Sequence, residues 1–181
     1  MDRAALERLL TAVDDHLDEP ATMVVYGAAA FMLLGEELRT SIDVDVAGPY
    51  CSGNIANLRR AIEKAGYAIN PPPHLNQDHI EWVSVERLSL EPPDEQALSL
   101  WRGRYLHVIT VSPAALIASK LIRYDATDQS DIRTLGFRMN VSWEHVKDAV
   151  KRLPPTFRDD AIVQENLENL KRDMMLWRSM P

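Results

Sequence analysis

Apolar residues recur along this chain at two periods, and the places where the period changes mark its elements. Over residues 2–17, Leu6, Leu9, Leu10, Val13 and Leu17 follow the three-and-four spacing of an amphipathic helix, which Pro20 ends. The continuous run Met23-Val24-Val25-Tyr26 predicts a buried strand. It breaks at Gly27 into Ala28-Ala29-Ala30-Phe31-Met32-Leu33-Leu34, which predicts a helix. In Ile42-Asp43-Val44-Asp45-Val46 apolar residues alternate with acids, and the period of two predicts a strand. Gly48-Pro49 is a turn signal, and Ile55, Leu58, Ile62 and Ala65 then predict a helix ended by Gly66. Pro71-Pro72-Pro73 is a rigid connector, 78–85 and 104–109 read as strands, and 91–95 as a loop.

The second half of the chain is patterned almost wholly as helix. Ser112 is an N-cap followed by Pro113 at the first helical position, and the helix runs over 114–123. Asp128 and Asp131 fall at the start of the next helix, where carboxylates suit the dipole. Ser142 caps a helix through Val146 and Val150 that Pro154-Pro155 closes. A last helix carries Val163, Leu167, Leu170, Met174 and Trp177 on one seam. That seam packs on its own domain or, in a homodimer, on a second copy; two heptads are short for a coiled coil. The expected fold class is α/β (α+β): a small mixed sheet flanked by helices, with residues 1–138 as one domain and 139–181 as a helical extension packed on it.

Chemistry concentrates between residues 23 and 47. Residues two apart on a strand point to one face, with Cα atoms roughly 6.5–7 Å apart. Asp43 and Asp45 therefore project together while Ile42, Val44 and Val46 face the core. Two adjacent carboxylates repel, and a divalent cation offsets that cost; Mg²⁺ favours carboxylate oxygens together with substrate phosphates. The turn at Gly27 opens a helix whose first amides suit an anion, and Ala28-Ala29-Ala30 leaves the backbone approachable. The plain alternative is a solvated strand edge.

Strand, glycine turn, helix and Asp-hydrophobic-Asp on the next strand resemble the nucleotidyltransferase superfamily typified by DNA polymerase beta. The chain is similar, more narrowly, to small bacterial nucleotidyltransferase-like proteins that include abortive-infection (AbiE-type) toxins. That family usually carries Gly-Gly or Gly-Ser at the turn and Arg-x-Thr-x-Asp-x-Asp after it. Here the turn is Gly27-Ala28, and Ser41 stands two residues before the first acid. The resemblance covers roughly residues 20–135. It implies a nucleotidyltransferase-like fold and Mg²⁺- or Mn²⁺-dependent transfer of a nucleotidyl group from an NTP to an RNA or protein acceptor. Asp43 and Asp45 would be catalytic metal ligands, with Glu81 as the third acid. Gly27, Ala28, Ser41 and Lys120 would bind the nucleotide. The resemblance also implies a toxin–antitoxin pair with an antitoxin partner. Because Ala28 lacks the hydroxyl that would grip a phosphate, a degenerate member that binds a nucleotide or partner without catalysis is the alternative. A Lys-Leu helix followed by Asp-x-x-Asp-hydrophobic is a second family feature, met here by Lys120-Leu121 and Asp128 to Ile132. Lys120 and Arg123 could face a triphosphate, or Lys120 and Asp131 could form an ion pair that fixes two helices.

Composition narrows the remaining classes. The 181 residues are 46% hydrophobic, enough for a core, and no apolar run reaches the ~20 residues of a membrane helix. The N-terminus carries acids and lacks a signal-peptide pattern, and a single Cys51 fits a reducing cytoplasm. The net charge of −7 argues against a generic nucleic-acid binder, but the charge is uneven. Residues 1–100 hold 7 Lys and Arg against 17 Asp and Glu, whereas 101–152 hold 9 against 5. The basic segment could face an anionic substrate or be ordinary helix surface. The five histidines show no metal-binding spacing, and neither a Gly-x-Ser-x-Gly elbow, a Walker loop nor a dinucleotide fingerprint is present.

Overall fold

The computed structural model describes residues 1–36, 38–74 and 77–179. The chain divides into two compact units, one formed by Met1–Leu88 with Glu95–Thr110, the other by Ser89–Asp94 with the chain from Val111 onward. The first is a mixed α/β unit and the second is helical, in keeping with the expected fold class.

In the α/β unit, α1 (Arg3–Asp15) is capped by Asp2, whose carboxylate accepts from the Ala5 amide at 2.8 Å. Strand β1 (Ala21–Val24) leads through Gly27 into α2 (Gly27–Leu33). Then come β2 (Asp43–Ala47), the two-residue β3 (Ser52–Gly53) and α3 (Ile55–Lys64). Strands β4 (Ala68–Ile69), β5 (His79–Val83), β6 (Leu98–Arg102) and β7 (Leu106–Thr110) complete the unit. The strands order as β3-β1-β7-β6 and β2-β5-β4, with β1 parallel to β7 and β2 parallel to β5. An antiparallel bridge between Val25 and Val46 joins the two groups.

That bridge settles which residues share a face. Met23 and Val25 lie with Val44, Val46, Ile80, Leu106 and Val108 on the buried side. Helix α1 contributes Leu6, Leu9, Leu10 and Val13 to the same core. Each such side chain withdrawn from water is worth about 1.5–3 kcal/mol. Helix α2 packs on β2 and β6, and α1 on α2, α3 and β7. The strand expected at 23–26 begins two residues earlier, and β6 has no counterpart in the sequence pattern. Its pairing with β7 shifts register between Ser99 and Trp101, which erases the alternation that would reveal it.

The helical unit contains α4 (Pro113–Ser119), α5 (Ala126–Arg138), α6 (Trp143–Arg152), the single turn α7 (Pro155–Arg158) and α8 (Ala161–Ser179). Ser112 caps α4 by accepting from the Ala115 amide at 3.2 Å, and Ser142 with His145 forms a capping box on α6. Helix α4 packs on α5 and α6, and α6 on α8. Val163, Leu167, Leu170 and Met174 of the final seam are buried. Glu91, only 3% exposed, pairs with Arg152 and ties the 89–94 segment to this unit. No helix among the described residues is long and apolar enough to cross a membrane.

Candidate functional site

Strand β2 exists because its alternation suits a half-buried pleat: Val44 and Val46 are fully buried, and Asp43 and Asp45 are partly exposed on the other face. Parallel pairing with β5 sets His79 opposite Asp43 and Glu81 opposite Asp45. Three carboxylates are thereby placed on one sheet face. The backbone amide of Tyr26 donates to the Asp45 carbonyl at 3.0 Å, which fixes the start of α2 beside the second acid.

Gly27 is required at that turn for two separate reasons. Its φ of +58° lies in the left-handed region, and a Cβ there would fall 2.1 Å from Asp45 Oδ2. The carboxylate of Asp45 occupies the space a side chain would need. Tyr26, the residue before it, shares the acids' face of the sheet. Burial raises the pKa of its phenol, and the negative charges of Asp45, Glu81 and Asp43 raise it further, so the hydroxyl keeps its proton. In the sequence Tyr26 stands out only as the end of an apolar run. Its even spacing from Thr22 and Val24 was the signal that it faces away from Met23 and Val25.

The remaining predicted residues take distinct positions. Ser41 donates its hydroxyl to Asp43 Oδ1 at 2.5 Å, so it orients the first acid. Ala28 is the second residue of α2 and presents a methyl group beside the turn. Glu81 accepts from the exposed Arg87, Nη1 to Oε1 at 3.0 Å, a partner that sequence spacing did not reveal. His79 holds the Gln77 carbonyl through Nδ1 at 2.9 Å.

Lys120 belongs to the helical unit, and its surroundings differ sharply. Its ammonium lies 2.8 Å from Asp128 Oδ1 and 2.7 Å from Asp131 Oδ2, with the lysine side chain 9% exposed. The ion pair with Asp131 weighed from the sequence is present, and Asp128 joins it. Arg123 adds Nε and Nη2 contacts of 2.9 Å to Asp128.

The donor set on β2 and β5 suits a hard divalent cation: carboxylate oxygens from adjacent positions on one face, with coordination left for phosphates and water. Among the described residues no three His, Cys, Asp or Glu side chains stand close enough to enclose an ion by themselves. Asp43 and Asp45 would hold it from one side, and Glu81 would join after leaving Arg87.

A family model described as "Nucleotidyltransferase of unknown function (DUF6036)" matches residues 4–173, and the chain belongs to that family. The match runs through both compact units. No curated protein and no solved structure matches the chain.

Proposed function

We propose that the protein moves a nucleotidyl group from an NTP to a hydroxyl of an RNA or protein acceptor in the presence of Mg²⁺ or Mn²⁺. One observation supports this above the others: Asp43, Asp45 and Glu81 share a sheet face, with the Asp45 carboxylate set against the Gly27 turn. A divalent ion held by Asp43 and Asp45 supplies charge neutralisation for the phosphates. Gly27 and the amides after it bind the phosphate chain at the turn against which the Asp45 carboxylate is set. Ser41 keeps Asp43 oriented through its hydroxyl. In the transfer, the acceptor oxygen bonds to the α-phosphorus, the bond to pyrophosphate breaks, and the acceptor proton passes to a carboxylate. In this reading Glu81, which is paired with Arg87, takes that proton once Arg87 turns aside.

The test is labelling with each of four α-labelled NTPs, Mg²⁺ or Mn²⁺, and a mixed pool of RNA and protein acceptors. Transfer should occur and should vanish in Asp43→Asn and Asp45→Asn. Label that persists in both variants would take the chemistry away from Asp43 and Asp45, and no label from any NTP would end the catalytic reading.

Ala28 favours a second reading, a member that binds nucleotide without transferring it. Ala28→Ser restores a hydroxyl worth about 1.5–3 kcal/mol to a charged group. A catalyst should gain activity or keep it. A binder should retain labelled NTP and transfer none, whichever residue stands at position 28. The antitoxin partner rests on the AbiE-type resemblance alone. Co-expression with the product of an adjacent small gene should relieve growth arrest caused by this chain, and a chain without any effect on growth would remove that role.

A further inference from the structure

The face that carries the acids continues across β3, β1, β7 and β6. Pairing aligns Ser52, Thr22, His107 and Arg102 in one row over these four strands. The Val25–Val46 bridge puts Thr22 on the same side as Asp43 and Asp45. Four residues of extended chain separate Thr22 from Tyr26, so the row lies about 13 Å along the strand from the Asp45 position.

The row is built into a concave surface. Thr22, Ser52, Arg102, Arg104, Tyr105 and His107 line a cavity of about 440 Å³ within the α/β unit. Among the described residues its lining holds no carboxylate. The β6–β7 turn, which carries Arg104 and follows Arg102, is locked from behind. The Asp14 carboxylate accepts from the amides of Arg104, Tyr105 and Leu106 at 2.7, 2.7 and 2.6 Å. A Cβ on Gly103 would fall 2.4 Å from that carboxylate, so the glycine permits the capture. Asp14, the acid beside the turn, is thus occupied by backbone.

The ring groups are poised in the same way. Ser99 Oγ lies 2.9 Å from His107 Nε2, and Arg102 Nη2 lies 3.1 Å from the same atom. The Arg104 guanidinium stands 4.8 Å from the centre of the Tyr105 ring. Exposed guanidinium groups and hydroxyls suit phosphodiester oxygens, and Tyr and His rings beside them suit base faces. Basic groups interleaved with aromatic rings on a sheet are the chemistry that holds a single strand. An acidic polypeptide would satisfy the arginines and leave the rings without stacking partners.

We propose that this row binds a single-stranded polynucleotide and leads its end along the sheet face toward Asp43 and Asp45. The assignment of that strand as the acceptor rests on the nucleotidyl-transfer reading; the binding site does not.

The experiment measures anisotropy of a labelled 12-nucleotide single-stranded RNA over a salt series, using the full chain. Wild type should bind, and each of Arg102→Gln and Arg104→Gln should weaken binding roughly tenfold. The slope of log K against log salt should shrink by about 0.7 per lost phosphate contact. Tyr105→Leu should weaken binding at least roughly fivefold with the slope unchanged. Circular dichroism and thermal melting confirm that each variant is folded. No binding by wild type, or equal binding by the arginine variants, would overturn the proposal. Two outcomes name other ligands and also overturn it. Displacement by millimolar inorganic phosphate with no effect of Tyr105→Leu marks a phosphate site alone. Equal, arginine-dependent binding of poly-glutamate marks a protein ligand. Arginine-dependent binding without transfer would refute catalysis and keep the site. Transfer without arginine-dependent binding would do the reverse.

Discussion

Asp43 with Asp45 and Asp128 with Asp131 are both closely spaced aspartate pairs, yet the fold treats them in opposite ways. Asp128 and Asp131 are 2% and 4% exposed, and Lys120 bridges them from within the helical unit. Asp43 and Asp45 remain partly exposed on a strand face, and the partner of Asp43 at 2.5 Å is the neutral Ser41 hydroxyl. A buried carboxylate needs a fixed counter-charge because its desolvation is expensive. A carboxylate at a solvated edge can receive its counter-charge from outside, which suits reversible binding of a cation and its phosphates. Carboxylate spacing alone does not separate structural acids from candidate catalytic ones; their burial does.

Asp45→Asn should make the largest difference on the exposed side. Loss of a metal-binding carboxylate is worth several kcal/mol, so transfer should fall about a thousandfold or more. Asn keeps the size of Asp at the Gly27 turn, so the variant should remain folded, which thermal melting checks. A variant that keeps activity, or that unfolds, would break the contrast between the two pairs.

Lys120→Met tests the buried side. Removing one partner from a dehydrated ion pair costs about 3–5 kcal/mol, which urea unfolding should read directly. The KM for NTP should stay unchanged in the folded variant. A raised KM with stability intact would instead assign Lys120 to the triphosphate.

Gly27→Ala probes the turn that the exposed pair depends on. Its left-handed backbone should cost about 1–2 kcal/mol, and the new methyl must displace the Asp45 carboxylate. Activity should drop well beyond what the loss of stability explains. Activity that falls only in proportion to stability would separate Gly27 from the site.

The smallest effect is in pH dependence. Burial raises the pKa of Asp128, but hydrogen bonds from Arg123 and Lys120 and their charges outweigh it, leaving the pKa below the ordinary carboxylate value. Asp14 is likewise held down, its burial outweighed by the amides of Leu106, Tyr105 and Arg104. A depressed folded-state pKa gives stability that is present above about pH 4, the unfolded value, and is lost as pH falls through the folded one. Urea midpoints measured from pH 5 down to pH 2 should therefore fall, and fall less in Asp128→Asn, which has already lost the contribution at neutral pH. Parallel curves for the two proteins would deny Asp128 that role.

Local periodicity was enough to specify most of the helices and the shared face of Asp43 and Asp45. Helix and strand repeats are properties of the backbone within a few residues, so Leu6 to Val13, Leu58 with Ile62, and the alternation at 42–46 reveal themselves without partners. The caps at Ser112 and Ser142 are legible for the same reason. The resemblance names Glu81 as the third acid but not its position opposite Asp45, because strand register is set by pairing between segments far apart in sequence. Tertiary structure alone decided that Arg87 meets Glu81 and that Tyr26 lies in the field of the acids. It also brought Asp128 and Asp131 within 3 Å of the Lys120 ammonium. The capture of Asp14 by the β6–β7 turn spans about ninety residues of sequence. No local pattern encodes it, because both the carboxylate and the amides look like ordinary surface groups until α1 and the hairpin pack together.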